Sequence, residues 1–153
     1  MHHDVLGDLI PDGDCGDHTA TIPYESRRIK VRISPDDQAF ETTLRLAAEV
    51  VGRLHDLDKA AKQIAVRDLR DTYNGGWNEY DEAQGDGTFK SVSNPALSEV
   101  AFEKKLSLNG VNVTGEGMID LFYNDENMFW GHSVVVTSLC GLDFRDARAE
   151  LFG

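Results

Sequence analysis

The residue best suited to chemistry is His132, which lies in the segment 129–133, FWGHS. A histidine held by a carboxylate can act as a general base near neutral pH. If this segment is a strand of a hairpin, Asp120 or Tyr123 on the neighbouring strand lies across from His132. Ser133 does not complete a nucleophilic pair, because adjacent side chains on a strand point to opposite faces. The same geometry favours the alternative of a neutral histidine that is hydrogen-bonded within the sheet.

A second set of residues suits recognition rather than catalysis. Aromatic side chains surrounded by carboxylates are typical of hot spots that bind basic proteins. The sequence offers such a set after the central segment and in a later turn. The candidate binding residues are Trp77, Glu79, Tyr80, Asp81, Glu82, Asp125 and Glu126. For Trp77 the alternative, which we favour, is that the indole covers the open end of the core.

Metal and cofactor sites are not expected. The carboxylates of segment 12–17, DGDCGD, resemble the start of a calcium loop, but Gly16 and Pro23 stand where that loop needs oxygen ligands. A solvated turn is therefore the preferred interpretation. Cys15 and Cys140 have no zinc-type spacing to histidine and no CxxC partner, so we expect two reduced thiols. No phosphate-binding, nucleophile-elbow or metalloprotease motif occurs.

The charge of the chain restricts its partners. The 153 residues include 15 Lys and Arg against 27 Asp and Glu, a net charge of −12. Such a chain repels phosphate backbones and anionic lipids, so nucleic acid and membrane partners are not expected. Three stretches (1–17, 74–89 and 106–144) hold five, four and five acids without one Lys or Arg, whereas segment 38–73 is neutral. The negative charge therefore belongs to the flanks and loops.

The length and the terminal segment predict a single cytoplasmic domain. A chain of 153 residues fits one domain, which we place at 1–153. No run of about 18 apolar residues occurs, and the first residues have neither a basic nor an apolar region of the kind found in signal peptides. The oligomeric state is left open by these features.

Apolar periodicity predicts helices in the middle of the chain. Apolar residues recur at steps of three and four over 40–54 and again over 57–73. Asp36 or Asp37 can cap the first helix, and the glycines of segment 74–76 can end the second. A third, short helix is predicted near 95–104, where proline is tolerated in the first turn.

The flanks are predicted to form β-structure. Short runs rich in β-branched residues, divided by Asp, Gly and Ser, are typical of strands. The predicted strands are 5–10, 19–24, 28–33, one beginning in 106–113, and a hairpin of 118–123 with 129–138. Segment 81–90 is predicted to be the one long loop, and 144–152 an amphipathic turn or short helix. This order predicts an α+β domain: an antiparallel sheet of about six strands (an N-terminal three-strand meander and a C-terminal hairpin) with two main helices packed on one face.

The C-terminal motif carries a resemblance to a known family. Segment 129–133, together with Leu6-Gly7, Tyr73-Asn74 with Trp77, and Tyr123-Asn124-Asp125, resembles a family of small bacterial cytosolic proteins of uncharacterised function. The resemblance spans most of the chain. It implies a single domain of the family's fold and implies no particular activity.

Three functional hypotheses follow. The leading one is a non-enzymatic acidic binding protein, most concretely an immunity protein that neutralises a basic bacterial toxin by charge-complementary docking. The first alternative is a hydrolase-type enzyme that uses His132 with a nearby carboxylate. The second alternative is a housekeeping interaction module.

Overall fold

The apolar stripes of the central segment form two consecutive helices in the computed structural model, which describes residues 1–153. Helix α1 spans Phe40–Gly52 and helix α2 spans Leu54–Thr72, with Arg53 between them. A wider, π-helical turn, Tyr73–Trp77, extends α2. Helix α3, Glu99–Lys104, begins at Ser98, whose hydroxyl accepts a hydrogen bond from the N–H of Ala101. The predicted helices are thus present.

The predicted cap of α1 is wrong. Ala39 occupies the cap position, and no side chain accepts a hydrogen bond there. Asp36 instead lies in the left-handed region, with φ of 57°, inside a turn in which the N–H of Gln38 donates to the carbonyl of Pro35. This turn places both aspartates before the helix, and neither side chain accepts a hydrogen bond from its free N–H groups.

Seven strands form the main sheet, one more than predicted. The strands are β3 (Ile10–Pro11), β4 (His18–Tyr24), β5 (Arg27–Ser34), β8 (Ser107–Thr114), β9 (Met118–Asn124), β10 (Ser133–Ser138) and β11 (Arg148–Phe152). Their order across the sheet is β11-β10-β9-β8-β5-β4-β3. Neighbours are antiparallel except β5 and β8, which are parallel because the helices form the crossover between them. The α+β class is therefore confirmed.

Two smaller ladders lie outside the main sheet. Strand β1 (His2–His3) pairs with β2 (Gly7–Asp8), and β6 (Glu79–Ala83) pairs with β7 (Phe89–Ser93). The predicted strand 5–10 is therefore divided between β2 and β3, and only its last residue joins the meander. The side chains of Leu6 and Leu9 turn into the core at this break.

Three further predictions of local structure are wrong. Segment 81–90 belongs largely to the β6–β7 hairpin rather than to a long loop, and the tail 144–152 ends in strand β11 rather than in a helix. The last strand of the C-terminal hairpin begins at Ser133, so residues 129–132 lie in turns before it. The arm strand β6 buries no residue, so it has no apolar period to detect, whereas β11 does alternate but is only five residues long.

The core lies between one face of the main sheet and the two long helices. Helix α1 packs over β5 and β8, whereas α2 packs over β10 and β11. Buried residues alternate with half-buried or exposed ones along β5 and β9, as in a sheet with one covered face. No helix is both long enough and apolar enough to cross a membrane.

Candidate docking site

The β6–β7 hairpin, residues 79–93, projects from the body of the protein, and we call it the arm. Every residue of the arm is exposed except Val92, which is half-buried. The arm carries Glu79, Asp81, Glu82 and Asp86 against the single base Lys90. A two-stranded sheet without a buried face is only marginally stable in water by itself. The arm therefore depends on its attachment to the body.

Hydrogen bonds between asparagines fix the arm at its base. The side chain of Asn78, which is 8% exposed, donates to the carbonyl of Asn94 at 2.9 Å, and the N–H of Asn94 donates to the carbonyl of Asn78 at 2.8 Å. Just beyond, the side chain of Asn74 donates to the carbonyl of Leu97 at 3.0 Å and accepts from its N–H at 2.8 Å. Both ends of the arm are thus tied to the end of α2.

The strand register divides the side chains of the arm between two faces. Glu79 and Asp81 lie opposite Ser93 and Ser91, and the Ser91 hydroxyl donates to the Asp81 carboxylate at 2.9 Å. Tyr80 occupies the other face, because successive side chains alternate along a strand. The Tyr80 ring faces the body. The carboxylates of Glu79 and Asp81 therefore point away from the aromatic residues beside the arm.

The turn between β9 and β10, residues 125–132, lies next to the arm, and we call it the aromatic turn. Asp125 organises it: the carboxylate accepts from the N–H groups of Asn127 at 3.0 Å and Phe129 at 3.1 Å. Asp125 is only 5% exposed. This predicted binding residue is therefore occupied within its own turn, and its neighbour Glu126 is the exposed acid, paired with Lys105 at 3.2 Å.

The backbone of the aromatic turn is strained. Glu126, Asn127 and Trp130 adopt φ values of 52°, 62° and 53°. A bulky residue such as tryptophan seldom occupies this left-handed region, since its Cβ crowds the backbone there. The indole of Trp130 is nevertheless 51% exposed. Strained residues cluster at functional sites, where their surroundings hold them in place.

Aromatic rings connect the aromatic turn to the arm. The ring centroids of Trp77 and Trp130 are 4.6 Å apart, and those of Tyr80 and Trp130 are 6.3 Å apart. On its other side, Trp77 contacts Phe129 edge-on at 5.4 Å and is packed against the core. Trp77 thus covers the core, as expected from the sequence, and also contacts the exposed Trp130.

A cleft of about 570 Å³ lies between the arm, the aromatic turn and the start of α3. Its volume is in the range of ligand and side-chain pockets. Its lining combines aromatic and aliphatic side chains with two amides and one ion pair. The lining residues are Tyr73, Trp77, Tyr80, Asn94, Pro95, Leu97, Lys105, Glu126, Asn127, Met128 and Trp130.

The structure does not bring His132 and Asp120 together. Asp120 lies opposite Thr137 and accepts a hydrogen bond from the Thr137 hydroxyl at 2.6 Å. Thr137 is five residues along the chain from His132, a separation of about 16 Å in an extended strand. The ring of His132 instead contacts Trp77 edge-on at 5.7 Å, outside any strand. The predicted pair separates because the register of β9 and β10 places Asp120 opposite Thr137, and His132 lies in the turn before β10.

The N-terminal acids lie away from the arm. Asp17, which is 6% exposed, accepts from the Ser34 hydroxyl at 2.7 Å and from Arg32 at 2.6 Å. The Ser34 hydroxyl and the Arg32 guanidinium hold the pKa of Asp17 below its ordinary value. These contacts lie at the C-terminal end of β5. The aromatic turn is joined through Glu126 to Lys105, which precedes β8, and because β5 and β8 are parallel this is the opposite end of the sheet. The acids of stretch 106–144 are themselves divided: Asp125 and Glu126 lie beside the arm, whereas Glu116 follows Gly115, whose N–H donates to the Ser34 carbonyl at the end of β5. The three base-free stretches therefore do not form one surface.

The structure contains a buried polar cluster that the sequence patterns did not predict. Asp58 on α2 is 4% exposed and accepts from the hydroxyls of Tyr24 at 2.6 Å and Tyr123 at 2.8 Å. Lys62 lies 3.4 Å from the same carboxylate. Burial, together with the charge of Asp58, raises the pKa of both tyrosines. We call these four residues the buried cluster.

A sequence signal for the buried cluster does exist. Asp58 lies four residues after Leu54 and three before Ala61, so it falls within the apolar stripe of α2. A charged residue on a core-facing position requires partners, because burying an unpaired charge is costly. This position could have been identified as a polar core site.

Comparison with known proteins places the chain in a family. No curated protein and no solved structure is significantly similar to it. A family model matches residues 3–147, which is most of the chain, and includes the arm and the aromatic turn. The chain therefore belongs to DUF2262, the family described as an uncharacterized protein conserved in bacteria.

Proposed function

We propose that this chain is a non-enzymatic acidic binding protein that docks a basic protein partner through the arm and the adjoining cleft. The most concrete form of the proposal is an immunity protein that neutralises a bacterial toxin with a cationic active-site groove. The observation that carries it is the exposed, acidic arm beside a strained and exposed Trp130.

Charge supports a basic partner. The arm has four acids and one base, and the whole chain has a net charge of −12. Complementary charge of this kind accelerates association and helps to select the partner, and its effect decreases as salt screens it. The fit to an anionic ligand is correspondingly poor.

Aromatic residues next to the arm are suited to anchor the partner protein. Tryptophan and tyrosine dominate the binding energy of many interfaces when they fill a pocket near the interface centre. Trp130 and Tyr80 are both exposed, and their rings meet edge-on beside the cleft with centroids 6.3 Å apart. An arginine or lysine side chain of the partner can contact these ring faces, because cations are attracted to the faces of aromatic rings.

Two matched charge variants test the proposal. The arm variant is Glu79→Lys, Asp81→Lys and Glu82→Lys. The control variant is Glu49→Lys, Asp56→Lys and Glu116→Lys, at exposed positions outside the arm and free of ion pairs. Both variants alter the net charge equally, so any difference between them reports on location.

The measurement is capture of a partner from a bacterial extract by the tagged chain, with identification by mass spectrometry. We expect a basic protein that is retained by the wild type and the control variant, lost by the arm variant, and released by salt. Equal retention by all three chains, or a complex insensitive to salt, would contradict the proposal.

A further inference from the structure

We infer that the free edge of β6 binds an extended, basic segment of the partner as an added strand. This inference rests on the proposed function and specifies how the partner is recognised. Addition of a strand to an exposed edge is an established mode of peptide recognition, in which main-chain hydrogen bonds give affinity and alternate side chains give specificity.

The hydrogen-bond pattern of the arm shows which backbone groups are free. At the tip, the N–H of Gln84 donates to the carbonyl of Thr88. At the base, the N–H of Asn94 donates to the carbonyl of Asn78. In an antiparallel ladder, hydrogen-bonded and non-bonded pairs alternate. The even-numbered residues of β6 therefore face β7, and the N–H and C=O groups of the odd-numbered residues point outward.

The outward-pointing residues of β6 are Glu79, Asp81 and Ala83. No other strand pairs with them, since the arm is a sheet of two strands. All five residues of β6 are exposed, and the side chains of Glu79 and Asp81 point away from the body. The anchored base holds the edge in strand conformation, which lowers the entropy that a partner strand must overcome.

Charge selects the added strand. Side chains directly opposite Glu79 and Asp81 would lie on the same face as these acids, where opposite charges are favoured and like charges are unfavourable. An added strand with Lys or Arg at every second position meets both acids. The outward-pointing residues of β7 are Phe89, Ser91 and Ser93, none of which is acidic, so β6 is the edge that fits a basic segment.

The same acids disfavour a second copy of this chain as the occupant. Pairing β6 with β6 would bring carboxylates of the two copies together, and charged edges of this kind are a common protection against self-pairing. At the edge of the main sheet, β11 presents both Arg148 and Glu150, so it has no surplus charge with which to select a basic strand.

The first test uses a short synthetic peptide of alternating lysine and threonine and the isotope-labelled full chain. We expect amide exchange measured by NMR to slow several-fold at Glu79, Asp81 and Ala83 when the peptide is added, because these N–H groups gain acceptors. A peptide with the same sequence but N-methylated at alternate residues cannot complete the ladder and should give no protection. Three results would overturn the inference: slowed amide exchange at residues outside β6, equal binding of the methylated and unmodified peptides, or no binding of the unmodified peptide.

A pair of proline variants tests the edge itself. Ala83 and Ser93 are the last residues of β6 and β7, and each has an outward N–H. Proline is tolerated at such positions because the lost N–H faces solvent. We expect Ala83→Pro to weaken binding of the lysine–threonine peptide about fivefold, the effect of one hydrogen bond, and Ser93→Pro to leave it unchanged. Equal effects of both variants would overturn the assignment to β6.

The two proposals fail in distinguishable ways. If the arm variant loses the captured partner but the methylated peptide binds as well as the unmodified one, strand addition is wrong and charge docking stands. If the arm variant also retains the partner, the proposed function fails, and the inference that depends on it fails as well.

Discussion

The buried cluster and the arm use acidic residues in opposite ways. In the buried cluster, the carboxylate of Asp58 has two tyrosine hydroxyls and a lysine as partners, all within the protein. In the arm, the carboxylates of Glu79 and Glu82 have no ion-pair partner and are exposed. The buried carboxylate of Asp58, with its full set of partners, specifies how α2 packs on the sheet. The exposed carboxylates of Glu79 and Glu82, without ion-pair partners, are available to bind another molecule.

The largest expected effect comes from removing the charge of the buried cluster. Asp58→Ala leaves the hydroxyls of Tyr24 and Tyr123 without acceptors and Lys62 without its carboxylate. We expect the free energy of unfolding to fall by about 3–5 kcal/mol, measured by urea denaturation. The exposed Asp56 on the same helix is the control, and Asp56→Ala should change stability by less than about 1 kcal/mol. Equal effects would show that burial of Asp58 does not matter.

The second prediction removes one donor of the buried cluster. Tyr123→Phe should lower the free energy of unfolding by about 1.5–3 kcal/mol, the range for a hydrogen bond to a charged group. The packing of the ring is retained, so the effect isolates the hydroxyl. An unchanged denaturation midpoint with an unchanged slope would exclude a contribution from this bond.

The tyrosines also predict how stability depends on pH. Their pKa values are raised in the folded state, so the unfolded chain releases these phenolic protons at a lower pH than the folded chain. Their contribution is therefore complete below about pH 10 and decreases as the pH rises above it. Tyr123→Phe should make this alkaline decrease shallower, measured by urea denaturation at successive pH values. A decrease as steep as that of the wild type would contradict the linkage to Tyr123.

A smaller loss of stability is expected when the arm is loosened at its base. Asn78→Ala removes the side-chain hydrogen bond to the Asn94 carbonyl, and we expect a loss of about 1 kcal/mol in global stability. Amide exchange within residues 79–93 should accelerate more than exchange in the main sheet, because the arm opens locally. Uniform acceleration would mean that the arm is not a separate unit.

The smallest effect on stability is expected at Trp130. Trp130→Asn removes the contact with Trp77 but relieves the left-handed strain, because asparagine tolerates this conformation. We expect the two effects to offset each other to within about 1 kcal/mol in thermal or urea unfolding. Binding of the captured basic partner should weaken by about 2 kcal/mol or more if Trp130 is an anchor. A large loss of stability with unchanged binding would assign Trp130 to the fold alone.

Regions that bury one face could be predicted from the sequence, and regions that bury none could not. Helices α1 and α2 and the strands β4, β5, β8 and β9 have apolar residues at the period of their structure. The arm has no buried face, so its polar sequence resembles a loop. Its two strands are held together at the base by hydrogen bonds between Asn78 and Asn94, and these bonds form only when α2 is in place.

The candidate binding residues stay a prediction, but the structure does bring some of them together. Trp77, Tyr80 and Glu126 do lie around one cleft. The alternation of apolar residues in 129–138 suggested a strand through His132, but the positive φ values of Trp130 and Gly131 turn the chain there. Sequence patterns do not reveal such backbone strain, because the surrounding contacts impose it.

The most direct measurement of the central claim is the association rate of the captured basic partner with the purified chains. In stopped-flow experiments at low salt, the arm variant should associate at least about tenfold more slowly than the control variant of equal net charge, and the difference should shrink at high salt. Both variants should unfold within a few degrees of the wild type. Equal association rates for the arm and control variants would contradict the assignment of the arm as the docking surface.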